Sequence, residues 1–195
     1  MAEYSYELKI PKERVAVLIG IDGTVKSNLE NETKTKIKVD SEEGDVFIKG
    51  DDAILLFNAR EVVKAIGRGF NPEISFLLLK SDYMFELISL MDVIKSKNSI
   101  KRLKGRVIGH EGKARRIIEE MTECHVSVYG KTIGVIGRAE RIGYAKEAVK
   151  KLIEGSPHSS VYKWLEKKRK EMGMQDIFFS RDENSDIKDE FRKEL

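Results

Sequence analysis

This chain is written twice, and the duplication limits what it can fold into. A Gly-x-x-Gly turn occurs at Gly20-Ile21-Asp22-Gly23 and returns 89 residues later at Gly109-His110-Glu111-Gly112. The register then holds without a gap. Lys26 matches Arg115, Leu29 matches Ile118, Glu30 matches Glu119 and Thr33 matches Thr122. Ile37 matches Val126, and Val39 matches Val128. The offset falls to 87 at Gly50 and Gly137, and to 86 at Ala59 and Ala145. The chain is long enough to bury a core in one large domain or two small ones, and the repeat favours two.

Each copy predicts the order β-α-α-β-β-α. Alternating apolar stretches open the copies at 4–10 and 83–94. A short helix leads into each turn, and a second helix follows over 24–33 and 113–122. Two short strands come next, at 36–39 with 46–49 and at 125–129 with 132–136, alternating as half-buried strands do. A longer helix closes each copy over 53–68 and 139–154. The fold class is α+β: two units, each a three-stranded sheet with helices on one face. Asn71-Pro72 ends the first copy, and a short joining helix is expected over 73–80. The division is 1–80, then 81–175 with a basic C-terminal helix over 161–170, then a charged tail over 176–195.

Charge separates the copies. Residues 1–82 carry 12 basic and 15 acidic side chains, residues 83–175 carry 20 and 11, and residues 176–195 carry 4 and 7. From Lys95 to Arg116, Lys95, Lys97, Lys101, Arg102, Lys104, Arg106, Lys113, Arg115 and Arg116 are opposed only by Glu111. Around the first turn, Lys12, Arg14 and Lys26 are cancelled by Glu13, Asp22 and Glu30. A localised basic segment beside a neutral sister points to a polyanion held by the second copy. Backbone charge neutralisation dominates nucleic-acid affinity, so the second copy is expected to bind and the first to extend that site or serve as scaffold.

Val107-Ile-Gly-His-Glu-Gly-Lys113, with an amphipathic helix and two strands after it, resembles a type I KH domain, and Leu18-Ile-Gly-Ile-Asp-Gly-Thr24 resembles a second. Two such domains over residues 4 to about 170, with Gly155-Ser-Pro-His-Ser-Ser-Val-Tyr162 leading into a basic helix, are similar to the archaeal Dim-two or partner-of-Nob-one ribosome-assembly family. The resemblance implies a single-stranded RNA-binding protein near the three-prime end of small-subunit ribosomal RNA. It also implies contact with the alpha subunit of translation initiation factor two. The alternative is an adaptor that docks that subunit, with RNA binding secondary.

The resemblance implies a clamp of about four nucleotides. Two glycines let the backbone approach a phosphate, and the helix that follows offers free N–H groups. The expected RNA contacts are Gly109, His110, Glu111, Gly112, Lys113, Arg115 and Arg116, joined by Arg102, Lys104, Arg106 and Val126. Gly20, Gly23 and Lys26 are their first-copy counterparts. Val107, Ile108, Ile117, Val126 and Val128 lie near an apolar groove, where core and groove both remain open for the last three. Each turn carries an acid, Asp22 or Glu111, where a phosphate would approach.

Other chemistry finds little support. The segment 105–113 fails the phosphate-loop pattern, since Ala114 stands where a hydroxyl is required. His110, His125, His158 and Cys124 have no metal-ligand spacing, and no nucleophile–base pair is evident, so no enzyme, metal or cofactor is expected. Cys124 matches Thr35 and reads as a buried thiol in a reducing cytoplasm. No apolar run approaches the roughly 20 residues of a membrane helix, and no secretory signal is evident. In the C-terminal helix, Trp164 and Leu165 are expected to pack inward. Lys167-Lys168-Arg169-Lys170 forms either an RNA track or a solvated face, and Phe178-Phe179 mark the tail.

Overall fold

The computed structural model describes residues 4–92 and 97–173. The first unit runs β1 (Tyr4–Lys9), α1 (Lys12–Ile19), α2 (Thr24–Thr33), β2 (Lys36–Val39), β3 (Asp45–Gly50) and α3 (Ala53–Gly67). A four-residue helix, α4 (Pro72–Ser75), continues into a 3-10 turn, Phe76–Leu79. The second unit repeats the order with β4 (Tyr83–Ser89), α5 (Lys97–Ile108), α6 (Lys113–Thr122), β5 (His125–Tyr129), β6 (Thr132–Arg138) and α7 (Ala139–Ile153). A last helix, α8, spans 158–173.

Both sheets are antiparallel, with strand orders β1-β3-β2 and β4-β6-β5. In β3, Val46 and Ile48 are buried against the helices while Phe47 and Lys49 point the other way. This is the period-two alternation of a sheet with one open face. Asp52 starts α3 by accepting hydrogen bonds from the N–H groups of Ile54 (2.8 Å) and Leu55 (3.0 Å).

The second sheet departs from that pattern. Every residue of β6 from Thr132 to Gly137 is buried, so both faces are covered. Ile133 and Val135 belong to the core under α5–α7, whereas Ile136 belongs to the core of the first unit. Phe70 packs edge-on against Phe85 with ring centroids 5.9 Å apart. Gly134 makes room for it, because a Cβ there would stand 2.7 Å from the Phe70 ring. Ser127 donates from Oγ to the Arg68 carbonyl at 3.0 Å, and the Tyr129 hydroxyl meets the Glu13 carboxylate. Burial first, and then Glu13, push the Tyr129 hydroxyl's pKa up. The two units therefore share one apolar junction, which the repeat alone does not reveal.

Two expectations are corrected. The strand expected over 83–94 ends at Ser89, because Ser89 pairs with Thr132 and the partner strand begins there. Beyond Leu90 the chain turns, and Ile94 lies outside the described residues. The joining helix expected over 73–80 is one turn of α-helix tightened into a 3-10 turn. Its Ser75 is fully buried and donates to the Asn71 carbonyl at 3.0 Å.

Helix α8 is longer than expected and integral to the second core: Val161 and Leu165 are buried in that cluster. Trp164 lies at its border, 6.4 Å from the Tyr144 ring and with the Lys151 ammonium 5.2 Å from its own. The tail over 176–195, with Phe178 and Phe179, lies outside the described residues.

Candidate nucleic-acid interface

The two glycine turns have the same backbone. Gly20 (φ 77°, ψ 176°) and Gly109 (φ 73°, ψ 177°) occupy a region open in practice only to glycine. A Cβ on Gly20 would strike Val25 at 2.5 Å, and one on Gly109 would strike Ala114 at 2.7 Å. The first glycine of each turn thus lets the next helix begin at once. Gly23 and Gly112 are left-handed at φ 77° and have open space where a Cβ would be. That space is where a phosphate can approach the N–H groups of the following helix. Between the glycines, Asp22 and Glu111 are themselves left-handed, both at φ 51°.

What surrounds the turns differs. Arg116 donates to the Glu111 carbonyl at 3.0 Å, which places a guanidinium behind the second turn. The repeat puts Ser27 at the equivalent position of the first. Lys113, Arg115, Arg116 and Arg102 are exposed, and Lys104 is half-buried. Lys95 lies outside the described residues.

Beside the second turn, Arg115 and Glu119 of α6 and Val126 of β5 line a groove. Its upper wall is held by a device present in both copies. Glu119 accepts the N–H of Val126 at 2.8 Å and pairs with Arg115 at 3.6 Å. Glu30 accepts the N–H of Ile37 at 2.6 Å and pairs with Lys26 at 3.9 Å. The carboxylate satisfies an edge-strand N–H and fixes a cation at the groove's rim. Spacing of i and i+4, repeated in both copies, is the sequence signal for this pair.

Comparison with known proteins agrees with this geometry. Residues 84–170 match the eukaryotic-type KH domain (KH domain type I), and residues 5–67 match the KH domain. A KH domain-containing protein of Methanocaldococcus jannaschii is 48% identical over 169 residues, covering 85% of this chain and 74% of the relative. Dim2p from Pyrococcus horikoshii is 48% identical with a TM-score of 0.79, over 84% of this chain and 99% of that one. This chain belongs to the two-KH-domain family of archaeal Dim2p and eukaryotic PNO1. A second solved relative, aDim2p from Pyrococcus horikoshii in a complex with a/eIF2alpha and rRNA, is 47% identical with a TM-score of 0.81, over 87% of this chain and 96% of that one. The chain spans less of its eukaryotic relatives: 47% of the pre-rRNA-processing protein pno1 of Aspergillus fumigatus, at 33% identity over 60% of this chain.

In KH terms, Arg106, Val126 and Val107 are held by the domain itself. Arg106 is committed elsewhere, because its Nε donates to the Leu152 carbonyl at 2.9 Å and its Nη2 to the Ser156 carbonyl at 2.6 Å. It ties α5 to the end of α7. Val126 and Val107 are buried in the second KH core, Val126 at the foot of the cleft beside Arg115 and Glu119. Ile108 and Ile117 stay half-buried. Gly20 and Gly23 have the backbone of Gly109 and Gly112, and Lys26 stands where the second unit has Arg115, with less charge around the turn.

His158 was missed as a supporting residue. Its Nε2 is 2.8 Å from the Arg106 carbonyl, so the start of α8 braces the last turn of α5 before the clamp. The segment 105–113 holds the KH turn and no phosphate loop. Cys124 is buried, its thiol's pKa pushed up by burial, beside the Thr122 carbonyl at 3.4 Å. Among the described residues no group of His, Cys, Asp and Glu is arranged to hold a metal, and no helix is long and apolar enough to cross a membrane.

Proposed function

We propose that this chain is a non-catalytic, single-stranded RNA-binding factor of small-subunit ribosome assembly, acting in the cytoplasm. It contacts the three-prime end of small-subunit ribosomal RNA mainly through its second KH domain. The observation that carries this reading is two clamps of one geometry with unequal charge. Both present an open glycine to a phosphate, but only the second has Arg102, Lys113, Arg115 and Arg116 exposed around it. Each phosphate contact by Lys or Arg releases counterions, so the second clamp takes the larger share of affinity. Relatives named as pre-rRNA-processing proteins, and a similar structure holding rRNA, support the choice of RNA.

The clamp works by position. The left-handed second glycine lets a phosphate reach the first N–H groups of α6, where the positive end of the helix lies. Bases beyond it lie along Ile108 and Ile117, with Arg115 fixed at the rim. Gly109, His110, Glu111, Gly112, Lys113, Arg115 and Arg116 line this path. Arg102 and Lys104 carry its field, and Gly20, Gly23 and Lys26 offer a weaker second hold.

A second reading has one specific support: the similar complex also contains a/eIF2alpha. In that reading the alpha subunit of initiation factor two docks on this chain as well. Crosslinking in the host followed by sequencing of the bound RNA tests the main reading. Enrichment at the three-prime end of small-subunit ribosomal RNA is expected, and recovery of messenger RNA alone would overturn it.

A further inference from the structure

The second KH groove does not end within its own domain. A cleft of about 400 Å³ continues it, walled on one side by Arg115, His125 and Ser127 and on the other by Gly69, Asn71 and Ile74 of the first unit. The two walls are fixed against each other. Gly69 is left-handed at φ +96°, and a Cβ there would stand 2.8 Å from the Ser127 Oγ. Ser127 holds the Arg68 carbonyl at 3.0 Å. The cleft is therefore preformed, and it shares Arg115 with the clamp.

Its polar groups are partly unspent. Among the described residues the exposed amide of Asn71 makes no bond to the turn it precedes. His125 is half-buried, and its ring has no hydrogen-bond partner among the described residues. Glu119, at the back, is already engaged by the Val126 N–H and by Arg115. An amide offers a donor and an acceptor side by side, which matches a base edge. Single-stranded RNA is read by such contacts to splayed bases.

We propose that this cleft seats the base of the nucleotide next to the clamped ones, so that the segment joining the two KH domains completes the RNA site of the second. The inference rests on the RNA-binding reading above and adds Asn71 and His125 as specificity-determining residues.

The test measures affinities of the full chain for nested strands from the three-prime end of small-subunit ribosomal RNA. One strand has about four nucleotides, the number a KH clamp covers, and longer ones add about two at either end. Wild type should bind one longer strand about fivefold or more tighter, in line with one or two added hydrogen bonds. Asn71→Ala and His125→Ala should each remove most of that gain, leave the short strand's affinity unchanged and keep the melting temperature. Persistence of the gain in both variants would overturn the proposal, and so would its absence in wild type. Equal weakening of both strands with a lowered melting temperature would show a purely structural role and overturn it as well. Gly112→Asp is the control, expected to weaken every strand. If it weakens none, the clamp reading fails. If it weakens all while Asn71 and His125 prove neutral, only the cleft fails.

Discussion

Arg14 and Arg106 tie helix to helix in the same way, from different turns of equivalent helices. Arg14 donates to the carbonyls of Ile66 (2.8 Å) and Phe70 (2.6 Å), as Arg106 does to Leu152 and Ser156. The repeat aligns Arg14 with Leu103, one helical turn before Arg106, so residue matching hides the equivalence. Arg106→Ala should cost about 2–3 kcal/mol in denaturant unfolding, as expected for losing charged donors to two half-buried carbonyls. RNA affinity of the folded variant should change little in a binding titration. Charge counting alone had placed Arg106 in the RNA set, because a run of cations does not show which of them point inward. Val126 eluded the sequence for a related reason. Alternation puts it on the inner face of β5, and the inner face of an edge strand meets core and groove alike. The glycines were legible, since only glycine meets both the left-handed geometry and the contact with Ala114.

At the scale of elements, α2, α3, α6, α7 and every strand but β4 were legible to within a residue or two, because their hydrophobic periods are regular. The corrections fall where pairing or packing decides a boundary. β4 stops where β6 has no more residues to offer, and alternation in 90–94 cannot reveal that. The segment after Pro72 is helical but tightens to bury Ser75 and Leu78. Helix α8 was expected over 161–170 with Trp164 and Leu165 inward; Val161 and Leu165 are buried in the second core, and Trp164 packs partly buried against it. Leu165→Ala should therefore destabilise the protein by about 2–5 kcal/mol, as cavity formation at a full core position does. Lys170→Ala, on the exposed side of the same helix, should shift the melting temperature little when the two variants are compared by calorimetry.

Across the whole molecule, the two KH domains share a junction through Phe70, Phe85 and Ile136. The duplication disclosed each domain but not this contact, because pairing between copies leaves no periodic trace. Gly134 was its one local sign, a strand glycine standing where another ring comes close. Thermal unfolding should show one cooperative transition. Gly134→Val should clash with Phe70 and split or broaden that transition without altering either clamp.

The same duplication makes the central claim open to direct test, since equal substitutions can be placed in both clamps. Gly23 and Gly112 share one left-handed conformation with open space around it, so aspartate meets no neighbouring atom at either site, bears the same backbone strain in both, and sets a carboxylate where a phosphate would lie. The measurement is the affinity of the full chain for a single strand from the three-prime end of small-subunit ribosomal RNA, in Gly112→Asp against Gly23→Asp. The charge around the second clamp predicts a loss of about tenfold or more for Gly112→Asp, about 1.4 kcal/mol, and a clearly smaller loss for Gly23→Asp. Equal losses, or a greater loss from Gly23→Asp, would contradict it.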